Sequence, residues 1–458
     1  MSRQKSIIAD FTEGSVSKQL LVFSAPLFLS SLLQVVYNMV DMIIVGQATG
    51  QTGLAAVAVG GDVSNFLTFF AMGFSNAGQI IISQYIGAKQ QDKVGRFTGT
   101  MFTFMMGSAV LISAVCLLLR EPILQVMNTP EESYADTLAY ATVCMAGLIF
   151  IYGYNMVGAV LRGMGDSKHP FIFISIAAIL NVVLDLLFVM VLHTGPMGAA
   201  LATVISQAVS FLCSVVFLFH RRQQFGLDVR LRDFLQIDTV MLADLVKLGV
   251  PMAIKSAAIQ FSKLFVNSWI NAYGVTVSAV AGVANKINSI SNLFSNAINT
   301  AGASMVGQNI GAKKFRRVPK IILTAGTVTF SIAAVLSVLM LFFPRQIFGI
   351  FTNAKDVLDI AMEYMPVSIL IFFGAASRAP MNALINGSGN YKINFATAIM
   401  DGVGMRIGLA MLLGGVLDFG SVGLWMGDAL AGFTPFFIGL VYYFSGKWKL
   451  GRSGKAAR

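Results

Sequence analysis

The amino-acid sequence predicts an all-α integral membrane protein of about twelve transmembrane helices, built as two six-helix bundles. The composition indicates a membrane protein, because 56% of the 458 residues are hydrophobic and only 12% are charged, roughly half the charged fraction of soluble domains. Apolar runs of about 20 residues, the length that crosses a bilayer, recur along the whole chain. A motif repeated at half the chain length indicates two similar bundles. The runs are continuous and not alternating, which argues against transmembrane strands.

Twelve apolar runs define the predicted helices. The first run follows a polar segment, is too long for a removable signal and lacks a small-residue cleavage site, so we interpret it as the first span. The longest and most polar connection, residues 221–238, predicts a cytoplasmic linker between an N-terminal lobe, residues 1–220, and a C-terminal lobe, residues 239–458. The predicted spans are residues 17–46, 53–82, 96–119, 134–160, 169–192, 197–220, 242–272, 276–306, 317–343, 356–386, 392–415 and 421–445.

The positive charges predict the orientation of the chain. Alternate connections carry most of the basic residues, whereas the other set holds almost none: GQATGQTG and HTGPMG carry none, and the connection with Glu131, Glu132 and Asp136 is acidic. Because basic loops stay in the cytoplasm, both termini are predicted to be cytoplasmic in a multi-pass protein of the plasma (inner) cell membrane. The net charge of +11 then reflects the loops, and no nucleic-acid partner is expected. The basic residues of the cytoplasmic set are Lys89, Lys93, Arg96, Arg162, Lys168, Arg221, Arg222, Arg230, Arg232, Lys313, Lys314, Arg316, Arg317 and Lys320.

An internal repeat relates the two halves of the chain. The segment SQYIGAKQQDKV at Ser83 matches GQNIGAKKFRRV at Gly307, an offset of 224 residues. The segment LRGMGDSK at Leu161 matches INGSGNYK at Ile385 with the same offset. Six spans lie in each half, so both halves enter the membrane in the same sense and form a parallel repeat about a pseudo-twofold axis. Such a repeat predicts two bundles that rock against each other, which is alternating access.

The fifth predicted span carries two polar side chains in an otherwise hydrocarbon-like run. A carboxylate at this depth costs at least a few kcal/mol unless it binds a cation, takes up a proton or faces water, so Asp185 needs a partner. Asn181 lies four residues earlier, on the same face of the helix. A second acid, Asp41, lies in the first span on one stripe with Gln34 and Asn38. These residues predict a site within the membrane.

Several motifs together resemble the multidrug and toxic compound extrusion (MATE) family of transporters. They are the proline-bearing first span PLFLSSLLQVVYNMVDMIIVG, the IGAK connection, the RGMGDSK turn and the segment ILNVVLD of the fifth span. The likeness covers nearly the whole chain and is greatest to the bacterial branches with a cation site in the N-terminal lobe. It implies an antiporter that expels amphipathic small molecules while Na⁺ or H⁺ runs inward. It also implies ion-binding roles for Asp41, Asn181, Asp185 and Thr203.

The chemistry of these residues agrees with an ion site and leaves the ion open. Carboxylate, amide and hydroxyl oxygens are hard donors that suit a small cation, and a close pair of acids also favours uptake of a proton. The alternatives are that Asn181 and Asp185 only hydrogen-bond between helices, or that Asp41 pairs with a basic residue. The repeat offset places Met405 at the Asn181 position and Leu409 at the Asp185 position. The second half is therefore predicted to lack the site.

Polar stripes on the seventh and eighth spans predict a wet substrate cavity in the C-terminal lobe. For each asparagine the alternative is a hydrogen bond between helices. The basic residues of this lobe either bind an anionic or zwitterionic group of a substrate, or pair with Asp401 and Asp428 as structural bridges. The predicted cavity residues of both lobes are Gln34, Tyr37, Asn38, Lys255, Gln260, Lys263, Asn267, Asn288, Asn292 and Arg406.

Other function classes find little support in the sequence. The chain has three scattered histidines and no HExxH or Gly-x-Ser-x-Gly motif, so an enzyme is not expected. It has no phosphate loop, so transport must use an ion gradient in place of ATP. The three cysteines lie in apolar runs without metal or disulfide spacing, and we expect neither a cofactor nor a structural metal.

Two alternatives concern the membrane assembly. A flippase for lipid-linked precursors shares the two-bundle design and basic cavity, but we count twelve spans and no additional pair that would form a lipid groove. Two glycine pairs, Gly404 with Gly408 and Gly423 with Gly427, are interpreted as sites of close helix packing within the chain and not as a dimer interface. The chain is therefore expected to act as a monomer.

Overall fold

The predicted fold class is confirmed. The computed structural model describes residues 8–222, 225 and 237–453, and within these ranges all regular elements are helical. The helices of the first half are α1 (Val16–Gly87), α2 (Gln91–Leu118), α3 (Arg120–Val126), α4 (Glu131–Ala146), α5 (Leu148–Gly163), α6 (Lys168–Asp185), which continues as a π-helix (Leu186–Val191), and α7 (Gly195–His220).

The second half repeats this order of helices. They are α8 (Thr239–Asn271), α9 (Val275–Gly311), α10 (Val318–Phe342), α11 (Pro344–Gly349), α12 (Lys355–Ser388), α13 (Tyr391–Ile399), α14 (Met405–Ala410), α15 (Gly420–Ala431) and α16 (Thr434–Phe444). Two π-helical segments, Met400–Gly404 and Met411–Val416, interrupt the eleventh predicted span, and 3-10 turns occur at Phe315–Arg317 and Lys447–Ser453.

These helices account for the twelve predicted spans. By length and composition, 8 of the described helices are able to cross a membrane, and the pair α4 and α5, bent by 48°, meets the same criteria when taken together. The first helix, α1, has 72 residues and contains two of the predicted spans. Helices α8 and α9 complete the set, and they are more polar because they carry the predicted stripes of lysine and asparagine.

Gly50 divides α1 into its two spans. Its φ of 67° and ψ of −150° are not helical, and only glycine adopts this combination without steric strain. The residue lies in the predicted connection between the first two spans. A break in the helix at one residue lets the second span follow the first through a very short connection. The predicted boundary between the two spans is therefore correct, although the helix is almost continuous.

The internal repeat is also present in the backbone. Residues with positive φ recur at the motif offset of 224: Gly50 with Gly274, Lys89 with Lys313, and Gly165 with Gly389. The short helices α3 and α11 begin at Arg120 and Pro344, again 224 residues apart. Because turns and kinks are set by local sequence, their coincidence at one offset shows that both halves are built on the same plan.

The described chain folds as two compact units. The first unit contains Leu29–Val250, and the second contains Asp10–Phe28 together with the described residues of Pro251–Arg458. Asp10–Phe28 joins the second unit through polar contacts: Phe11 N–H donates to Gln308 Oε1 at 2.9 Å, and Asn309 Nδ2 donates to Phe11 O at 3.0 Å. The predicted linker, residues 221–238, lies mostly outside the described residues, so the predicted lobe boundaries stay a prediction.

One of the two predicted glycine pairs lies at a close helix contact. A Cβ added to Gly423 would lie 2.5 Å from Leu413 O, and one added to Gly427 would lie 2.5 Å from Ala410 Cα. These are contacts with backbone, which cannot move aside as a flexible side chain can. In contrast, a Cβ on Gly408 meets no atom within 4 Å. Of the two pairs, it is therefore Gly423 with Gly427 that lets α15 pack closely against the segment that precedes it.

We expect Gly427→Ala to destabilise the protein and Gly408→Ala to leave it unchanged or slightly more stable. The added methyl at Gly427 would push α15 away from Ala410, at a cost of about 1–3 kcal/mol. At Gly408 the methyl enters open space, and alanine favours a helix by up to about 1 kcal/mol over glycine. Thermal unfolding of the two purified variants in one detergent measures the difference. Equal transition temperatures would contradict the packing argument.

Candidate functional site

Three helices of the first unit supply the predicted ion-binding residues. Helix α1 carries Asp41, α6 carries Asn181 and Asp185, and α7 carries Thr203. Asp185 is the last residue of α6, and the π-helix Leu186–Val191 starts directly after it. A π segment widens the turn and leaves backbone groups offset, and such segments are frequent at functional sites. The structure thus places the acid where the fifth span changes from α-helix to π-helix.

The polar atoms of this group are buried and lack protein partners. Asp185 is 0% exposed, Asn181 2% and Asp41 8%. Among the described residues, Asp41 Oδ1, Asn181 Oδ1 and both carboxylate oxygens of Asp185 accept no hydrogen bond. Within the group, Asn181 Nδ2 donates to Thr203 Oγ1 at 3.4 Å. Buried oxygens of this kind normally have a partner, so an unsatisfied set indicates that an ion, a proton or water completes it.

The two carboxylates influence each other and have no basic neighbour among the described residues. Asp185 interacts electrostatically with Asp41, so the two negative charges repel. Within the described ranges, no lysine, arginine or histidine nitrogen lies within 4.0 Å of either carboxylate. In a medium of low dielectric constant, this repulsion is relieved by a bound cation or by one shared proton.

An apolar layer borders the acid pair. A buried cluster contains Ile44 and Val45 of α1, Tyr140 of α4, Val189 of the π-helix and Ala199 of α7. The small residues of α7 allow close approach: a Cβ on Gly198 would lie 2.9 Å from Phe188 Cβ. Apolar surroundings have a low dielectric constant, which strengthens each electrostatic interaction there.

Sequence reasoning missed three residues of this region. Tyr140 interacts electrostatically with Asp41 and Asp185. Ser206 Oγ and Gln207 Oε1 are buried without a partner among the described residues. Ser206 and Gln207 follow Thr203 by three and four positions, so helical periodicity on α7 would have found them. Tyr140 offered no such signal, since an aromatic residue in an apolar span is usually part of the core.

Tyr37 interacts with Asp41 of the acid pair and with two glutamines. It interacts with the side chains of Gln34, on the same helix, and Gln207, on α7. Tyr37 is buried, whereas Gln34 and Asn38 are exposed on the first unit. Of the predicted cavity residues on α1, Tyr37 is therefore buried and interacts with α7, whereas Gln34 and Asn38 are exposed.

The described residues of the second unit contain no counterpart of the acid pair. The π-helix Met411–Val416 lies 225 residues after Leu186–Val191, so the backbone irregularity is repeated. Leu409 and Met405 occupy the positions of Asp185 and Asn181 at the motif offset, and neither supplies an oxygen ligand from its side chain. The same framework thus carries hard oxygen donors at these positions in one half only.

A network of charges lies instead in the second unit. Arg406 is 2% exposed, and its guanidinium pairs with Asp401, at 3.3 Å, and with Asp428. Lys255 Nζ donates to Asn382 Oδ1 at 2.7 Å. The predicted structural bridge of Arg406 to both acids is therefore present in the structure.

The predicted asparagines and Gln260 have varied surroundings. Asn288 Nδ2 donates to Tyr364 OH at 2.9 Å, and Asn292 Oδ1 accepts from Arg378 Nη2 at 2.6 Å. Gln260 is exposed. Lys263 and Asn267 line a recess with Asn285, Tyr364, Trp425 and Asp428. On α8 and α9, Asn288 and Asn292 are therefore hydrogen-bonded within the unit, whereas Gln260 is exposed and Lys263 and Asn267 line the recess.

Comparisons with known proteins match the chain along nearly its whole length. The profile of the MatE family matches residues 26–187 and 251–412, once in each half. The probable multidrug resistance protein YoeA of Bacillus subtilis (strain 168) is 27% identical over 452 residues, covering 98% of this chain and 97% of YoeA.

Solved structures share the fold. One is an outward-facing conformation of a multidrug resistance MATE family transporter of the MOP superfamily, with a TM-score of 0.89, 22% identity and coverage of 97% of this chain and 98% of that chain. Another is a MOP superfamily transporter from Pyrococcus furiosus, for which reverse polarity of the binding pocket suggests a different function; its TM-score is 0.87 at 22% identity, with the same coverage.

Proposed function

The chain belongs to the MatE family of membrane transporters, and from this premise we propose that it is a secondary active efflux antiporter. It exports amphipathic organic compounds in exchange for inward movement of Na⁺ or H⁺. The observation that carries the proposal is the buried acid pair, since Asp41 and Asp185 combine burial, mutual repulsion and unpartnered oxygens among the described residues. The multidrug resistance name of the Bacillus relative supports the substrate class.

The coupling step of the proposal is neutralisation of the acid pair. Without an ion or a proton, two carboxylates in a low-dielectric region repel each other, which is unfavourable by several kcal/mol. A bound Na⁺ would take oxygen ligands from Asp41, Asn181, Asp185 and Thr203, and a proton would be shared by the carboxylates. Either event removes the repulsion and favours a different arrangement of α1, α6 and α7. The free energy of the ion gradient enters at this step.

Alternating access supplies the transport cycle in this proposal. Two halves built on one plan can present a site to one side of the membrane and then to the other. The ion site lies in one half only, so the ion and the organic compound need not share ligands. We further propose that the chain acts as a monomer in the plasma (inner) membrane with both termini in the cytoplasm, from the positions of its basic loops.

A transport assay with two separate gradients tests the proposal. Purified chain is reconstituted in liposomes loaded with ethidium, and the outside receives either Na⁺ at constant pH or acid without Na⁺. We expect one of the gradients to accelerate release of ethidium and an ionophore that collapses it to remove the effect. The responding gradient identifies the coupling ion. If neither gradient accelerates release, ion-coupled export of this dye is contradicted.

A second candidate function is export of anionic or zwitterionic compounds. The specific observation in its favour is the excess of basic side chains in the second unit, where Lys255, Lys263 and Arg378 have no carboxylate within 4.0 Å among the described residues. Cationic compounds would be repelled there. A relative of the same fold has a pocket of reverse polarity, so a change in the sign of charge is compatible with this architecture.

A further inference from the structure

We propose that the recess of the second unit binds an anionic group of a ligand, with Lys263 as the principal contact. This inference deepens the proposed function by naming the charge class of a substrate, and it rests on the chain being a transporter. The recess is lined by Lys263, Asn267, Asn285, Tyr364, Trp425 and Asp428, together with aliphatic side chains of the same unit. Most of its volume of about 380 Å³ is open to solvent, and the enclosed part has room only for a small polar group. It therefore suits an acidic group whose apolar remainder lies outside.

The group of interacting charges that includes Lys263 carries an excess of positive charge, and Lys263 and Asp428 are the members of this group that line the recess. The cations are Lys255, Lys263, Arg378 and Arg406, and the carboxylates that interact with them are Asp401 and Asp428. Four positive against two negative charges leave an excess of +2. Lys286, a further lysine of the same unit, is exposed and is not among these interacting groups. In a region shielded from water, an excess of this size attracts an anion.

The two carboxylates are already used within the unit. Both pair with the guanidinium of Arg406, which lies between them. Asp428 lines the recess and would repel an anion if it were free, but its bond to Arg406 offsets most of its charge. Asp401 is 0% exposed and cannot reach a ligand in the recess without breaking the same pair.

The remaining cations differ in how they are satisfied. Lys255 and Arg378 each donate to an amide oxygen, of Asn382 and Asn292 respectively. Lys263 differs from them, because within the described ranges its Nζ makes no hydrogen bond and has no carboxylate within 4.0 Å, although Asp428 of the recess interacts with it electrostatically. It is half-buried and lines the recess. An ammonium group in this position gains most from a ligand that brings its own negative charge.

Neighbouring side chains add donors for the same ligand. Trp425 is 4% exposed, lines the recess, and its Nε1–H has no acceptor among the described residues. Asn267 and Asn285 supply side-chain amides at the rim. The ammonium of Lys263 and the two amides at the rim match the oxygens of a carboxylate, sulfonate or phosphate. The apolar rings of Tyr364 and Trp425 suit the hydrophobic part of an amphipathic anion.

A binding experiment tests the assignment with the full chain. The protein is placed in nanodiscs of phosphatidylcholine and titrated with carboxyfluorescein, an anionic probe, and with ethidium, a cationic probe, by fluorescence anisotropy. We expect Lys263→Gln to weaken carboxyfluorescein binding by about tenfold or more, as for loss of one charge-assisted hydrogen bond. Lys263→Arg retains the charge and should stay within about threefold. Ethidium binding to Lys263→Gln should not fall.

Lys286→Gln is the matched control, since it removes one lysine of the same unit outside the recess. Equal losses of carboxyfluorescein binding in Lys263→Gln and Lys286→Gln would overturn the proposal, as would absence of binding by the wild-type chain. Trp425→Phe, which keeps an aromatic ring and removes the N–H, should weaken carboxyfluorescein binding by a few-fold. Thermal unfolding of each variant shows whether it is folded.

Nanodiscs that contain phosphatidylglycerol distinguish two sources of the anionic group. If a lipid headgroup occupies the recess, this lipid will compete with carboxyfluorescein for the wild-type chain and not for Lys263→Gln. If the occupant is a soluble organic anion, the lipid will leave the wild-type affinity unchanged. Binding to nanodiscs needs no ion gradient, so failure of ion-coupled export and failure of the anion site give separate results.

Discussion

Asp185→Asn should abolish ion-driven export and at the same time make the protein no less stable. The substitution keeps the shape of the side chain and removes the charge that holds the ion or proton. We expect gradient-driven release of ethidium from liposomes to fall by at least about tenfold, the effect of removing one charged partner from a buried site. Asp185 is 0% exposed and its carboxylate oxygens have no protein partner among the described residues. Its neutralisation therefore removes a buried uncompensated charge, and the unfolding temperature should stay equal or rise.

Loss of export together with unchanged or higher stability distinguishes an acid that binds the coupling ion from an acid that only holds helices together. If Asp185 served only to hold helices together, the amide would lower stability along with transport. Asp41→Asn should behave as Asp185→Asn does, since Asp41 is the second charge of the pair. Leu409→Met is the matched control, because Leu409 lies at the corresponding position of the second half and should leave coupling intact. Near-normal export by either asparagine variant would contradict the proposed coupling site.

Of the variants considered, Arg406→Met should lower the stability of the protein most. The guanidinium is 2% exposed and pairs with Asp401 and Asp428. Its removal leaves the fully buried Asp401 without its ion-pair partner, and breaking a buried pair in this way costs about 3–5 kcal/mol. Thermal unfolding in detergent should show a large fall in the transition temperature, and poor recovery of folded protein is expected for the same reason.

An exposed pair in the same unit is the control for Arg406. Arg345 Nη2 lies 2.6 Å from Asp359 Oδ1, and both side chains are 63% exposed. Water screens this interaction, so Arg345→Met should cost no more than about 1 kcal/mol. A double variant, Arg406→Met with Asp401→Asn, removes the stranded charge as well and should recover part of the lost stability. Equal effects of the Arg406 and Arg345 variants would show that burial does not determine the strength of the bridge.

The fold was predictable because membrane helices leave strong local signals. Each span must be apolar over about 20 residues, since backbone groups in lipid can bond only within the helix. The repeat was also readable, because turns such as those at Lys89 and Lys313 depend on adjacent residues. Helix interruptions were less visible. The π-helix after Asp185 and the assignment of Asp10–Phe28 to the second unit depend on neighbours that are distant in sequence.

The candidate sites were predictable in part. Asp41, Asn181 and Asp185 stand out because charge and amide groups are costly in an apolar run. Tyr140 does not stand out, although it interacts with both acids, because its sequence context is that of an ordinary core residue. Among the basic residues, the sequence could not distinguish Arg406, which is paired, from Lys263, which lines a recess. Both are single charges in otherwise similar helices.

Composition and periodicity by themselves determined that this protein is a helical membrane protein of two similar halves, and that Asp41 and Asp185 lie in apolar spans of the first half. These features follow from the cost of placing polar groups in hydrocarbon, which acts on each residue separately. The tertiary structure alone decided which polar groups satisfy one another. It joins Arg406 to Asp401 and Asp428, and among the described residues it leaves Asp41, Asp185 and Lys263 without an ion-pair partner within 4.0 Å. Pairing depends on distances between helices, and those distances are fixed only when the helices pack.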